Sequence, residues 1–125
     1  HIIMDKQINK AEVVKSLIHT IEEKRSLNTI KTKHIDKLDN PEKICLNDEN
    51  QVYVPDIEAV YDEATTLYEI ELDNKMPIEK WRLFSLYSRK KNGSFYLVVP
   101  DFLKDNIKKV IKDKEINAGL MFFPT

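Results

Sequence analysis

The sequence predicts one α/β domain with a central mixed sheet of about four to five strands flanked by helices. Segments with apolar residues at helical spacing alternate with short runs rich in Val, Ile, Tyr and Phe. The chain has 125 residues, of which 42% are hydrophobic, and this is enough for a single core. A sheet with helices on both faces is the simplest packing of such an order.

Three helices are expected from the spacing of the apolar residues. The first extends from Asp5 to about Ser26 and has one apolar face. The second begins at Pro77, a residue favoured at helix starts, and ends at residues 91–93. The third is capped by Asp101 and extends to about residue 114. The side chains of the third helix that should point inward are Phe102, Leu103, Ile107, Val110 and Ile111.

Short apolar runs bounded by polar turns predict the strands. They are expected at residues 28–33, 43–46, 51–61, 66–72, 95–99 and 119–123. Residues 47–50 form a polar turn, and residues 62–65 join two strands into an antiparallel hairpin. The continuous apolar run at 95–99 is typical of a strand that is buried on both faces.

Composition excludes several classes of protein. The formal net charge is −1, so nucleic acid would have to bind to a local basic patch rather than to the field of the whole protein. The single cysteine, Cys45, excludes disulfides and multi-thiolate metal sites, favours a reducing, cytoplasmic location, and is expected to be a small core residue. No apolar run is long enough to span a membrane. Residues 1–4 are interpreted as an appended remnant before a natural start at Met4, so that residues 5–125 form the domain.

Three carboxylates on the predicted hairpin are the strongest functional signal. Asp56 interrupts an apolar strand, and Glu69 and Glu71 flank Ile70, so both glutamates project from one face. If Asp56 faces the same way, three anions converge and raise one another's pKa values. A hard divalent cation such as Mg²⁺ or Mn²⁺ would remove that cost. The alternative is a hairpin face that is simply exposed to water.

These residues also resemble a known family. Val54-Pro55-Asp56-Ile57 followed by Tyr68-Glu69-Ile70-Glu71 is similar to the hairpin of the PD-(D/E)xK nuclease superfamily, the restriction-endonuclease-like fold. The resemblance covers residues 51–123 and includes the order of elements after the hairpin. It implies an endonuclease that hydrolyses DNA with Mg²⁺ or Mn²⁺. Asp56 and Glu69 match the two metal-binding acids, and Glu71 takes the place of the motif lysine.

The missing lysine leaves several alternatives open. Some nucleases of the superfamily carry an acid at that position, and in others the lysine comes from elsewhere in the chain. Lys75 is the expected substitute, to stabilise the phosphate or orient water, and Lys80 is the other lysine that could reach back. An acid of the first helix often completes such a site in the superfamily, which makes Glu22 and Glu12 candidate metal ligands, with Glu58 as a weaker addition. Ordinary surface charge is the alternative for all three. The remaining alternative is that the site has lost its catalytic function. The protein would then be an inactive relative of the fold that binds nucleic acid or protein.

Several basic residues are candidates for contacts with DNA phosphates. They cluster around the second helix: Arg82, Arg89, Lys90 and Lys91. A solvated helix end explains them equally well. A lysine stripe on the third helix is typical of a solubilising surface: Lys104, Lys108, Lys109, Lys112 and Lys114. The resemblance implies a DNA partner. The chain has no obvious sequence-reading domain, so specificity would come from a homodimer partner, a larger nucleoprotein complex or the structure of the DNA. A purely structural or regulatory protein is the third alternative.

Overall fold

The computed structural model describes residues 8–23, 27–45 and 51–125, which form an α/β domain with a five-stranded mixed sheet. The predicted fold class is therefore confirmed. The elements in chain order are α1 (Lys10–Glu22), β1 (Leu27–Lys31), β2 (Ile44–Cys45), β3 (Val52–Tyr53), β4 (Ile57–Tyr61), β5 (Thr65–Ile70), α2 (Ile78–Lys90), β6 (Phe95–Pro100), α3 (Lys104–Asp113) and β7 (Gly119–Phe123).

The main sheet has the strand order β1-β4-β5-β6-β7. β4 pairs antiparallel with both β1 and β5. β6 pairs in parallel with both β5 and β7, through the connections that contain α2 and α3. β5 lies at the centre, and all six of its residues are buried. β2 and β3 form a separate two-stranded sheet.

The helices cover both faces of the sheet, as the sequence predicts. α1 packs on one face through its apolar stripe, Val14, Leu17, Ile18 and Ile21. α2 and α3 pack on the other face, where the largest buried side chains are Trp81, Phe84 and Ile107. Trp81 and Phe84 are completely buried, so they belong to the core.

The strand predicted at residues 51–61 is two strands. β3 ends at Tyr53 and pairs with β2, and β4 begins only at Ile57. Pro55 has no N–H to donate to a strand ladder, which is the physical reason for the interruption. The break leaves Asp56 at a bend immediately before β4.

Two predicted core positions are wrong. Phe102 is 62% exposed, because residues 101–103 form a 3₁₀ turn whose side chains do not follow the stripe of an α-helix. Asp101 does not cap α3 either, since its carboxylate accepts a hydrogen bond from the Thr125 hydroxyl at 3.1 Å. Cys45 is exposed, because Ile44 takes the inward position of the two-residue strand β2.

Some predictions fall outside the described residues. They are the remnant at residues 1–4, the turn at residues 47–50 and both outer parts of the predicted first helix. Within the described ranges, none of the helices has the length and apolar character needed to cross a bilayer.

Candidate functional site

The two predicted metal-binding acids lie side by side at the start of β4 and the end of β5. Because Ile57 is the register partner of Tyr68, Asp56 falls opposite Glu69. The backbone N–H of Asp56 donates to Glu69 Oε1 at 2.9 Å, and that of Ile70 donates to Asp56 Oδ2 at 2.8 Å. Asp56 is 2% and Glu69 is 3% exposed. The alternative of a water-exposed hairpin face is therefore wrong.

Glu71 lies on the same side of β5 as Glu69 and shares a lysine with it. The Lys80 ammonium group, on the first turn of α2, donates to Glu69 Oε2 at 2.5 Å and lies 3.2 Å from Glu71 Oε2. The indole N–H of Trp81 also donates to Glu71 Oε2, at 2.7 Å. We call Asp56, Glu69 and Glu71 the acidic cluster.

Asp56 has its own partners, one lysine and one histidine, which come from the other face of the sheet. The Lys10 ammonium group, at the start of α1, lies 3.2 Å from Asp56 Oδ2. His34 Nε2 lies 2.8 Å from Asp56 Oδ1. The hydroxyl of Thr32 donates to the backbone carbonyl of Asp56 at 2.7 Å and accepts from the His34 N–H at 3.2 Å. The segment after β1 thus holds both the backbone and the carboxylate of Asp56.

Burial and neighbouring charges move the pKa values of the two central acids in opposite directions. Burial, and then the charge of Asp56, raise the pKa of Glu69 to about 7 against the opposing effect of Lys80. Burial alone would raise the pKa of Asp56, but Lys10, the Ile70 amide and His34 lower it below its ordinary value. Lys80 is also desolvated, yet Glu69 and Glu71 raise its pKa. The cluster therefore contains one firmly ionised acid and one acid that titrates near neutral pH.

The structure brings Lys80 to the acidic cluster and leaves Lys75 outside it. The Lys75 side chain is 86% exposed, and its ammonium group lies 3.9 Å from Asp73. Lys75 belongs to the loop before α2, whereas Lys80 lies on the helical surface that packs against β5. Helix packing, rather than proximity in sequence to Glu71, determines which lysine reaches the acids.

The acids expected from the first helix do not reach the cluster either. Glu12 and Glu22 are exposed on α1, and Glu22 lies twelve residues, or roughly 18 Å, along the helix from Lys10. α1 therefore supplies a lysine where an acid was expected. Glu58 is buried on the face that α2 covers, where its Oε1 accepts from the Glu42 N–H at 2.9 Å, so it serves a different part of the molecule.

The predicted phosphate-binding residues lie away from the acidic cluster. Lys90 is ten residues, or about 15 Å, along α2 from Lys80, and Arg89 and Lys91 are its neighbours at the same helix end. Arg82 is closer, but its guanidinium group donates to the carbonyl of Lys114 at 2.8 Å. None of the four touches a member of the cluster in the part of the chain that the structure describes.

The donor atoms of the acidic cluster, rather than their spacing in this structure, suit a hard divalent cation. Carboxylate oxygens are the donors that Mg²⁺ and Mn²⁺ prefer, and Asp56 and Glu69 present theirs from adjacent strands. Over residues 8–23, 27–45 and 51–125, no three metal-ligating side chains are grouped closely enough to hold an ion. The carboxylate oxygens of Asp56 and Glu69 instead face the ammonium groups of Lys10 and Lys80, which an incoming cation would have to displace.

Comparison with protein-family models, with curated proteins and with solved structures finds no match to this chain. Function therefore has to be inferred from the geometry of the cluster itself.

Three members of this arrangement could not be predicted from the sequence. Lys10, His34 and Trp81 contact the acidic cluster, but none of them lies in a recognisable motif. Their only common feature is tertiary: α1, the segment after β1 and α2 all meet at one edge of the sheet. The acids were predictable because the hairpin is local in sequence.

Proposed function

We propose that this protein is a metal-dependent nuclease-like domain that hydrolyses DNA phosphodiesters. The observation that carries the proposal is the meeting of Asp56 and Glu69 on adjacent strands, with the Lys80 ammonium group bonded to Glu69. Neighbouring acids whose pKa values are shifted in opposite directions are a recurring feature of functional sites. The hairpin resemblance and the confirmed order of elements support the same reading.

Asp56 and Glu69 would hold the divalent ion, with Glu71 beside them. Such an ion polarises a phosphate and lowers the pKa of a bound water. Lys80, once released from Glu69, is placed to donate to a phosphate oxygen where negative charge develops. Trp81 and Glu71 position Lys80, because Glu71 Oε2 accepts from the indole and lies 3.2 Å from the ammonium group. In this proposal Glu71, which stands at the sequence position of the motif lysine, holds a lysine that comes from α2 instead.

A second candidate is a non-catalytic interaction module of the same architecture. The specific observation in its favour is that the carboxylates already have partners: Lys10, Lys80 and His34 face the three of them. A site compensated in this way is complete without a metal. This candidate predicts no binding of divalent ions at the acidic cluster.

A titration with Mn²⁺ separates the two candidates, because it requires no knowledge of the substrate. Trp81 is the only tryptophan of the chain and is bonded to Glu71, so its fluorescence reports on the acidic cluster. We expect saturable quenching in the wild type and its loss in Asp56→Asn, which retains an acceptor for the Ile70 amide. The matched control is Asp73→Asn, which removes an exposed acid and should titrate like the wild type.

The same variants test hydrolysis directly. Cleavage of plasmid and single-stranded DNA in Mg²⁺ or Mn²⁺ should disappear in Asp56→Asn and persist in Asp73→Asn. Equal cleavage by Asp56→Asn and the wild type would rule out the nuclease assignment. Absence of Mn²⁺ quenching in the wild type, even with DNA present, would favour the interaction module. We place the protein in the cytoplasm as part of this proposal, because exposed Cys45 suits a reducing compartment.

A further inference from the structure

The two edge strands of the main sheet differ in how they are protected from further pairing. β1 contains Lys31, and its register with β4 shifts between Leu27 and Thr29. Charged side chains and irregularities of this kind keep another strand from adding to an edge. β7 has neither feature, because none of its five residues is charged and its register with β6 is continuous. In the described part of the chain no strand pairs with the outer side of β7, so its main-chain groups there can bind a further strand.

A groove runs beside β7 on the face of the sheet that α1 covers. Met121 and Phe123 of β7 pack toward this face, and both are only half-buried. A cavity of about 320 Å³ lies between them and Val13 and Leu17 of α1. A second cavity, of about 210 Å³, also touches Val13 and Phe123 and extends the groove past the end of β7. We call this space the β7 groove; it can accept apolar side chains from a strand that adds to the edge.

The opposite face of the same edge carries positive charge. Phe122 packs toward this face, as the alternation of a strand requires. The ammonium groups of Lys104 and Lys108 of α3 lie 5.4 and 5.8 Å from the centroid of its ring. Neither lysine forms an ion pair with any residue that the structure describes. The two lysines are one helical turn apart, so their like charges repel, and an anion beside the Phe122 ring would relieve that repulsion.

A strand added to β7 would reach both features at once. Neighbouring strands lie about 4.8 Å apart, and the Cβ atoms of directly opposed residues are about 5 Å apart. A carboxylate side chain opposite Phe122 would therefore lie beside the ammonium groups of Lys104 and Lys108. The residues before and after it in the added strand would point to the other face, toward the β7 groove. The edge is thus complementary to a sequence in which acidic and apolar residues alternate.

We infer that the outer edge of β7 binds an extended segment of a partner protein in which acidic and apolar residues alternate. Main-chain hydrogen bonds to β7 contribute affinity, the apolar side chains fill the β7 groove, and the carboxylates pair with Lys104 and Lys108. A second copy of β7 is less complementary, because it brings no acidic residue to the two lysines. The inference concerns residues outside the acidic cluster and does not depend on the proposed nuclease activity.

Peptide binding tests this surface. The probe is a fluorescein-labelled octapeptide of alternating valine and glutamate, and its affinity for the full chain is measured by anisotropy. We expect saturable binding that weakens as the salt concentration rises, because the carboxylates pair with exposed lysines. Replacing the valines of the peptide by serine should weaken binding by at least about tenfold, since the β7 groove then receives no apolar side chains. Equal binding of the two peptides would overturn the role of the groove.

Charge-matched variants of the protein test the lysine pair. Lys104→Gln/Lys108→Gln should bind the valine–glutamate peptide about fivefold more weakly at low salt and lose most of the salt dependence. The matched control is Lys90→Gln/Lys91→Gln at the end of α2, where the ammonium group of Lys91 also lies over an aromatic ring, that of Tyr87, at 5.5 Å. The control should bind the peptide like the wild type. Equal losses in the two double variants would mean that only net charge matters and would overturn the site.

Hydrogen exchange locates the bound peptide. Amides of β7 should exchange at least about fivefold more slowly when the peptide is bound, whereas those of β1 should not change. Absence of peptide binding, or binding without protection of β7, would overturn the inference. A wild-type dimer in sedimentation velocity whose β7 amides are already protected without peptide would assign the edge to a second copy and overturn it as well.

Discussion

At the residue scale, Lys80 of α2 contacts two acids of the acidic cluster. Lys80 is bonded to Glu69 and lies near Glu71, whereas Lys75 is in solvent. In the proposed hydrolysis, Lys80 donates to the phosphate where negative charge develops, so Lys80→Gln should lower the rate of DNA cleavage by about 100-fold or more. Lys75→Gln should retain the wild-type rate. An equal loss in both variants would contradict the role given to Lys80.

The raised pKa of Glu69 makes a second prediction at this scale. A carboxyl whose pKa is higher in the folded state than in the unfolded state costs stability as it ionises. Its penalty therefore grows as the pH rises from its ordinary value of 4.5 to about 7. The lowered pKa of Asp56 changes the free energy of unfolding only below its ordinary value of 3.8, so the contribution of Asp56 is constant in this window. Relative to the wild type, Glu69→Gln should gain about 1–3 kcal/mol in unfolding free energy between pH 5 and pH 8.

Urea unfolding at several pH values measures this difference. The matched control is Glu79→Gln, which removes an exposed acid from the same helix as Lys80. A pH-independent difference for Glu69→Gln would mean that the Glu69 pKa is not raised in the folded protein.

At the scale of elements, the turn between α2 and β6 shows why a glycine is needed there. Asn92 takes the left-handed conformation that ends the helix, with φ 61°, so Gly93 is not required for its backbone angles. A Cβ at Gly93 would instead lie 1.9 Å from the carbonyl oxygen of Thr65. That backbone is fixed, because the N–H of Thr65 donates to the carbonyl of Lys91.

Gly93→Ala should therefore destabilise the protein by about 3 kcal/mol, as overpacking against backbone does. The comparison is Gly119→Ala, whose Cβ would meet the ring of Tyr96 at 2.4 Å. A half-buried side chain can shift where a carbonyl cannot, so about 1 kcal/mol is expected. Unfolding free energies from urea titration test the order, and an equal cost at the two glycines would contradict this account.

At the scale of the whole molecule, β5 is the centre of the structure. It is the strand at which antiparallel pairing with β4 changes to parallel pairing with β6, and every one of its residues is buried. Amide hydrogens of β5 and β6 should therefore exchange only through global unfolding, at least tenfold more slowly than those of the edge strands β1 and β7. Hydrogen-exchange mass spectrometry tests this, and slower exchange in β7 than in β5 would contradict it.

The predictions from sequence succeeded where the signal was local. Apolar spacing located α1, α2 and α3, and the alternation around Ile70 put Glu69 and Glu71 on one side of a strand. They failed at two interruptions of regular structure. The strand at residues 51–61 is divided at Pro55, and its first part pairs with β2 instead of continuing into β4. Phe102 is exposed because a 3₁₀ turn precedes α3.

The sequence by itself determined the order of helices and strands and the pair of acids, Asp56 and Glu69. These features depend on backbone periodicity and on a short hairpin, in which contacts join residues close together in the chain. Only the tertiary structure decided which side chains face those acids. Lys10, His34 and Lys80 come from three separate segments, and a long side chain reaches a carboxylate only when helix packing has brought it there.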